Sequence, residues 1–258
     1  MRKIKFLALV IALLTCASLV SCKRRVGEAS RGLEMTLAES GTYYIVTGMG
    51  SCRDTDVLLP AEYKGLPVAA IGERAFKGAE ITRITLTENV IFIADNAFSA
   101  CESLAYNELE GIYYLGTEKN PAYAVISASK DSSTTFNLHK DTKILADSAL
   151  YDLEITALVL PKGITHIGKS ALYGCFELKS ISLPESLVYI GAEAFGNCGS
   201  LAEITLPKSV TYLGESAFMY CTKLTKISFA GTEAQWNAME KSARWDRDMK
   251  AYKISFAE

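Results

Sequence analysis

The fold is decided by three consecutive stretches that align without a gap: LPKGITHIGKSALYGCFELKSIS at residues 160–182, LPESLVYIGAEAFGNCGSLAEIT at 183–205 and LPKSVTYLGESAFMYCTKLTKIS at 206–228. Each stretch has 23 residues, with Leu-Pro at its start and with a glycine and a cysteine in fixed places. A fixed period of this length is typical of a solenoid, in which stacked coils bury a shared apolar interior.

Weaker copies of the repeat extend towards the N-terminus. The alanine of the "AF" step recurs at Ala75, Ala97, Ala149, Ala171, Ala194 and Ala217. The intervals are 22, 52, 22, 23 and 23 residues, so the second interval holds one repeat and an insert. The sequence therefore predicts about six coils of 22–23 residues, with an insert from about Asn107 to Phe136.

Each coil is expected to contain one strand and one shorter extended segment. In the segment from Leu178 to Leu183, the period of two points Leu178, Ile181 and Leu183 inward, with Ser180 and Ser182 outward. The proline that follows removes a backbone donor and ends the strand. Stacked coils of this kind predict a β-rich solenoid with a parallel sheet.

The pattern LPxxVxxIGxxAFxxCxxLxxIxL resembles the BspA-like leucine-rich repeats of bacterial surface proteins, and the resemblance covers nearly all of the mature chain. It implies a right-handed leucine-rich repeat coil and a role in attachment. Five residues depart from the pattern: Thr87 and His139 in the proline slot, Ala79 in the cysteine slot, and Ala94 and Ala146 in the glycine slot. These departures suggest looser coils in the N-terminal half.

Residues 1–21 have the pattern of a bacterial lipoprotein signal peptide. Arg2, Lys3 and Lys5 precede an apolar run from Phe6 to Leu14, which is too short to span a bilayer. The segment ends in Leu-Val-Ser-Cys, which resembles a lipobox and makes Cys22 the predicted lipidation site. An ordinary secretory signal with an incidental cysteine is the alternative.

The predicted mature chain is a tether at residues 22–32 and a leucine-rich repeat domain at 33–258. Loss of the signal peptide would change the net charge from −2 to −5. Nucleic-acid binding requires a clustered basic surface, which the body of the chain lacks, so we expect no nucleic-acid partner. The expected location is the bacterial cell envelope, held to a membrane by the lipid, at the cell surface or on the periplasmic face.

Both ends and the insert have predicted structures of their own. The runs Tyr43–Val46 and Val57–Leu59 predict a hairpin cap at the N-terminus. A small helical cap is expected at about 230–258, with helical spacing from Glu233 to Trp245 and a final strand at Ile254–Phe256. Both tryptophans, Trp236 and Trp245, are expected to pack in this cap.

The insert is expected to be a β-hairpin that protrudes from a coil or extends it. Its strand-like runs are Ile112–Leu115 and Tyr123–Ile126, joined through Gly116 to Pro121. Protruding hairpins on a rigid scaffold are common places for recognition.

Five cysteines remain after the signal peptide and the lipid site: Cys52, Cys101, Cys175, Cys198 and Cys221. The last three share one repeat slot and should lie in neighbouring coils. Buried free thiols are favoured over disulfides, because parallel side chains give a poor disulfide dihedral. The sequence contains no zinc-ligand spacing, so no metal or other cofactor is expected.

No catalytic motif occurs in the sequence, and we expect a binding protein and not an enzyme. His166 falls in an outward slot that Tyr189 and Tyr212 fill in the next coils, which predicts a surface position.

The candidate binding face is the concave side of the predicted sheet. Its outward positions are Arg83, Thr85, Ala157, Val159, Ser180, Ser182, Glu203, Thr205, Lys226 and Ser228. Three functions remain open: binding of an unknown protein, on a host or neighbouring cell; a structural or spacer role in the envelope; and accessory carbohydrate binding, which would need exposed aromatic residues on one face.

Overall fold

The computed structural model describes residues 28–129 and 135–257. Within these residues the chain winds as a β-solenoid of about 9 turns, built almost entirely of short strands. The six predicted coils form its body, and the insert and the two ends add further turns. The predicted signal peptide, Cys22 and the tether up to residue 27 lie outside the described residues.

The elements are named in chain order. They are β1 (Glu34–Leu37), β2 (Tyr44–Gly48), β3 (Asp56–Leu58), β4 (Glu62–Tyr63), β5 (Leu66–Ile71), β6 (Arg83–Leu86), β7 (Phe92–Ile93), β8 (Asn107–Leu109), β9 (Ile112–Thr117), β10 (Ala124–Ala128), β11 (Thr135–Phe136), β12 (Ile144–Leu145), β13 (Ala157–Val159), β14 (His166–Ile167), β15 (Ser180–Ser182), β16 (Tyr189–Ile190), β17 (Glu203–Leu206), β18 (Tyr212–Leu213), β19 (Lys226–Phe229), α1 (Glu233–Ala238), β20 (Glu240–Lys241) and β21 (Lys253–Phe256).

The strands of successive coils pair in parallel and form two rows. The long-strand row consists of three sheet segments, β3–β6–β9, β11–β13–β15 and β17–β19–β21. The short-strand row contains β12, β14, β16, β18 and β20, and it continues through β10 into β9. The short strands of the first two coils, β5 and β7, pair in parallel within a separate sheet that also contains β1, β2 and β4.

The coils 160–228 follow the repeat closely because each slot has a structural task. The interior of the coil that begins at Leu183 is filled by Leu187, Ile190, Phe195 and Leu201, all fully buried. Gly191 lies where the coil passes its neighbour: a Cβ there would be 2.7 Å from the carbonyl carbon of Gly168. Only glycine permits this approach, which accounts for the glycine slot.

The cysteine slot also has a structural task. The thiols of Cys101, Cys175, Cys198 and Cys221 each donate a hydrogen bond to a carbonyl oxygen of the preceding coil, at 2.8, 3.2, 3.3 and 3.0 Å. All of them, and Cys52, are buried free thiols, which confirms the sequence interpretation for Cys175, Cys198 and Cys221. Burial raises the pKa of Cys175 to about 11, so this thiol stays protonated and unreactive.

The N-terminal hairpin exists, but its strands differ from the prediction. The antiparallel partner of β2 is β1, which the sequence analysis did not identify as a strand. The predicted second strand, here β3, instead pairs in parallel with β6 and begins the long-strand row. The prediction was wrong because strand pairing depends on long-range contacts, which an apolar run alone does not specify.

The insert contains the predicted hairpin, formed by β9 and β10, and a further antiparallel strand, β8. It does not protrude. β10 pairs in parallel with β12, and the end of β9 pairs in parallel with β6, so the insert joins the two strand rows. Tyr114, Leu115 and Val125 are buried, and the insert therefore extends the core.

The C-terminal cap has less helix than expected. The helix α1 ends at Ala238, and β20 pairs with β18 while β21 pairs with β19, so the chain makes another coil. The helical spacing beyond Ala238 is overridden by these strand pairs. Trp236 lies 5.7 Å from Trp245 and 5.5 Å from Phe229, ring centre to ring centre. Both tryptophans pack in the cap, as predicted.

Candidate binding surface

The predicted binding residues alternate along the long-strand row with buried residues of the core. In β17 the exposed Glu203 and Thr205 alternate with the buried Ile204 and Leu206. Parallel pairing sets the exposed residues of successive coils beside one another, and Glu203, Lys226 and Lys253 occupy one register position. We call the exposed side of this row the strand face.

At the N-terminal end of the strand face, Arg83 forms an ion pair that the sequence analysis missed. Its Nε donates to Oδ1 of Asp56 at 3.0 Å, and its Nη2 bonds the other carboxylate oxygen. This hydrogen bonding and the charge of Asp56 raise the pKa of Arg83. Asp56 and Arg83 are register partners in β3 and β6, so the strand pairing brings the two charges together.

The middle of the strand face is uncharged. Ser180 and Ser182 are exposed and lie in register with Ala157 and Val159 of the previous coil. Val159 is 69% exposed. Because this apolar side chain is open to solvent, it gives the middle of the strand face an apolar centre.

The C-terminal end of the strand face is again charged. Nζ of Lys226 lies 3.5 Å from a carboxylate oxygen of Glu203, and Lys253 follows at the next register position. The hydroxyls of Ser228 and Ser255 are 3.1 Å apart. The strand face thus extends one coil further than predicted, to Lys253 and Ser255.

A groove borders the N-terminal end of the strand face where the insert begins. Its volume is about 440 Å³, and its lining combines Arg83 and Thr85 with the insert residues Asn107, Thr117 and Pro121. No sequence signal assigned these insert residues to a surface, because their placement depends on the pairing of β9 with β6.

His166 is less accessible than its outward slot predicted. Its ring stacks on Tyr189 at 5.6 Å and meets the ring of Phe92 at 5.2 Å, and Tyr189 stacks in turn on Tyr212 at 4.7 Å. Burial in this aromatic row lowers the pKa of His166 to about 4. The histidine is therefore a neutral packing residue at physiological pH.

The described ranges 28–129 and 135–257 contain no cluster of three or more histidine, cysteine or acidic residues that could hold a metal ion. None of the helices in these ranges has the length and apolar character needed to cross a membrane.

Solved structures similar to this chain are bacterial leucine-rich repeat proteins. The pneumococcal vaccine antigen PcpA is 20% identical with a TM-score of 0.50, and the match covers 79% of this chain and 57% of PcpA. A leucine-rich cell surface protein from Faecalibacterium prausnitzii is 16% identical with a TM-score of 0.46, over 86% of this chain and all of that one (100%). The likeness to PcpA shows the fold alone. This chain thus spans little more than half of PcpA.

No curated protein matches this chain. The family model for the BspA type leucine-rich repeat region matches residues 65–118 and 129–243 in 6 copies. The matched ranges include the glycine and cysteine slots described above and the strands β11 to β20. The chain belongs to the BspA type leucine-rich repeat family.

Proposed function

We propose that this protein is an envelope-anchored binding protein that recognises a protein partner through the strand face. The observation that carries the proposal is the register of β17, β19 and β21, which sets Glu203, Lys226 and Lys253 side by side on an exposed surface. A face of exposed side chains held by paired strands is preorganised, so binding costs little ordering entropy.

The chemistry of the strand face resembles that of protein interfaces. Val159 supplies an exposed apolar centre, and the pairs Arg83–Asp56 and Glu203–Lys226 supply charge towards both ends. Interfaces commonly have an apolar core and a polar rim, and rim charges set the orientation of the partner and its association rate. Among the side chains that the structure describes on the strand face there is no row of aromatic residues, which disfavours glycan stacking there.

The strand face can be tested by a binding screen with two matched double variants. The chain from residue 22, with Cys22→Ser to prevent lipidation, is screened against purified matrix proteins and bacterial surface proteins. We expect R83A/K226A to weaken a saturable interaction about tenfold. K77A/K140A removes the same charge from exposed positions outside the strand face and should have little effect. No saturable partner, or equal losses in both variants, contradicts the proposal.

The lipid anchor is a separate part of the proposal and needs its own measurement. We expect mass spectrometry of the native protein to find an N-terminal Cys22 carrying acyl chains, and Cys22→Ala to move the protein from the membrane fraction to the soluble fraction. Two or three acyl chains suffice for stable anchoring. An unmodified Cys22 in the native protein would overturn this part and leave the strand face untouched.

A further inference from the structure

A second surface lies on the turns that follow the short-strand row, away from the strand face. Three large aromatic side chains there are exposed: Tyr151 by 47%, Phe176 by 49% and Tyr220 by 46%. Tyr173 is half-buried near Tyr151 and Tyr220, with its ring parallel to that of Tyr151 at 5.4 Å. We call Tyr151, Tyr173, Phe176 and Tyr220 the aromatic turn surface.

These aromatic residues do not fill the core, and the backbone does not favour all of them. Tyr220 has a φ of 57°, in the left-handed region, where the equivalent residues are Gly174 and Asn197. A tyrosine there costs about 1 kcal/mol or more relative to glycine. Gly196 leaves space for the Tyr173 ring, because a Cβ at position 196 would lie 2.6 Å from Cδ2 of that ring.

The aromatic turn surface is bordered by carboxylates. Asp152, Glu154 and Glu177 line a groove of about 710 Å³ together with Phe176, and no lysine or arginine is among the described residues that line it. Burial raises the pKa of Tyr173, and so do the neighbouring Tyr151, Glu193 and Tyr220. Glu193 therefore adds a fourth carboxylate close to the rings.

We propose that the aromatic turn surface docks a lysine- or arginine-bearing segment of a partner protein. The charge of the groove is complementary to a cation, and aromatic rings attract cations through their negative faces. The aliphatic stem of a lysine or arginine can lie on Phe176 while its charged head reaches Glu154 or Glu177. This surface is separate from the strand face, so it stands or falls independently of the function proposed above.

A neutral glycan fits this surface less well. Tyr151 and Tyr173 cover one face of each other's ring, which leaves fewer open ring faces for a sugar to stack on. A neutral sugar would also gain nothing from the net negative charge of the groove.

The test uses the chain from residue 22 with Cys22→Ser and a fluorescein-labelled peptide of alternating lysine and glycine. We expect saturable binding, measured by fluorescence anisotropy, that weakens as salt is raised. F176A should weaken it about tenfold, from loss of the cation–π and stem contacts. E154Q/E177Q should weaken it about tenfold at low salt and flatten the salt dependence.

Two controls separate a site from general attraction. Glu80 and Glu102 are exposed and follow the cysteine slot of the first two coils, as Glu154 does in the third. E80Q/E102Q therefore removes the same charge from equivalent turns, and we expect less than about a twofold change. Tyr63→Ala removes an exposed tyrosine that lies outside the aromatic turn surface, and it should have no effect.

Three results would overturn the proposal. One is the absence of saturable peptide binding by a wild-type chain with a normal circular dichroism spectrum. Another is an equal loss in E80Q/E102Q and E154Q/E177Q, which would show attraction by net charge alone. The third is binding of neutral oligosaccharides, such as maltohexaose or chitohexaose, that depends on Phe176 while the lysine peptide is not bound.

Discussion

The two halves of the solenoid reach the same architecture by different means. In residues 160–228 each coil repeats the same contacts: a glycine against the next coil, a thiol on a carbonyl, and rings stacked in register, as in Phe195 and Phe218 at 5.3 Å. Around the insert, single contacts replace the repeated ones. The hydroxyl of Tyr123 donates to the carbonyl oxygens of Glu88 and Val90, and Asn107 donates to the carbonyl of Pro121.

The difference shows that repetition is one of two ways to join neighbouring coils. In the regular half, the backbones of neighbouring coils approach each other so closely that the glycine slot has almost no room for a larger residue. Near the insert, alanine occupies the glycine slot at positions 94 and 146, and buried tyrosines of the insert provide the junction. Four measurements test this difference between the regular coils and the insert.

Gly191→Ala should have the largest effect. The new Cβ would meet the carbonyl carbon of Gly168 and the nitrogen of Lys169 at 2.7 Å, and backbone atoms cannot move aside cheaply. We expect the free energy of unfolding in urea to fall by about 3 kcal/mol. Gly199→Ala is the matched control, since its Cβ would come no closer than 3.8 Å to Thr222, and it should be nearly neutral. Equal stabilities of the two variants would refute the close-approach role of this slot.

The aromatic row around His166 predicts a pH dependence of stability. The folded-state pKa of His166 is about 4, below the usual value of 6.5, because burial favours the neutral ring. As the pH falls from about 6.5 to about 4, the unfolded chain takes up a proton that the folded chain does not. The free energy of unfolding should therefore decrease across this window by about 2 kcal/mol, and below it His166 contributes no further change.

The control for this prediction is His166→Tyr, which places in this slot the residue that the next two coils already contain. Urea unfolding of both proteins at a series of pH values isolates the histidine, because all other titrating groups are shared. A wild type and variant with parallel pH profiles would show that His166 titrates normally.

Cys198→Ala tests the row of thiol–carbonyl hydrogen bonds made by Cys101, Cys175, Cys198 and Cys221, which we call the thiol ladder. The variant loses a fully buried sulfur and its hydrogen bond to the carbonyl of Leu172. We expect a loss of about 1.5 kcal/mol in the free energy of unfolding. Cys52→Ala removes an equally buried thiol that lies outside the repeat slot, so a smaller loss there would assign the difference to the ladder. The ladder has no energetic role if Cys52→Ala is the more harmful change.

Tyr123→Phe tests the contact between the insert and the second coil. Its hydroxyl donates to two carbonyl oxygens of the second coil at 2.9 and 3.0 Å. Removal of the hydroxyl should lower the free energy of unfolding by about 1 kcal/mol and increase amide exchange in β7 and β10. Tyr113→Phe, on β9 of the insert, serves as the control. Unchanged exchange in both elements would mean that the insert is held by its apolar contacts alone.

The sequence predicted the regular half well and the ends poorly, for a physical reason. In residues 160–228 every slot has one local task, so composition and spacing determine the strands and the interior. At the N-terminus, β1 carries mostly exposed residues and gives little apolar signal, and the partner of β3 is not its sequence neighbour but β6 in the next coil. Past Ala238 the helical spacing of Met239 and Ala243 also suits a coil, and only the pairing of β20 with β18 decides between them.

In the candidate sites, too, the features set by local sequence were predicted and those set by contacts between distant residues were not. The outward positions of the strand face follow from the period of two, and the structure places them in register. The period of two does not predict the ionic partners of these residues. The partner of Arg83, Asp56, was missed because the sequence predicted a hairpin for β3. The aromatic turn surface was missed because Tyr151 and Phe176 lie outside the strands. A large aromatic residue outside the apolar slots of the repeat is the signal that could have found it.

The register of the regular coils makes the length of the protein adjustable. Tyr189 lies directly beside Tyr212, and each coil begins and ends with the same residue types. Deletion of residues 183–205 would let Leu206 follow Ser182, with each slot refilled by its counterpart. The span of the solenoid could thus shrink or grow in steps of roughly 4.8 Å, one coil at a time, as a gene loses or duplicates a 23-residue unit. The region around the insert cannot be lengthened or shortened in this way, because its hydrogen bonds come from single residues that no other coil repeats.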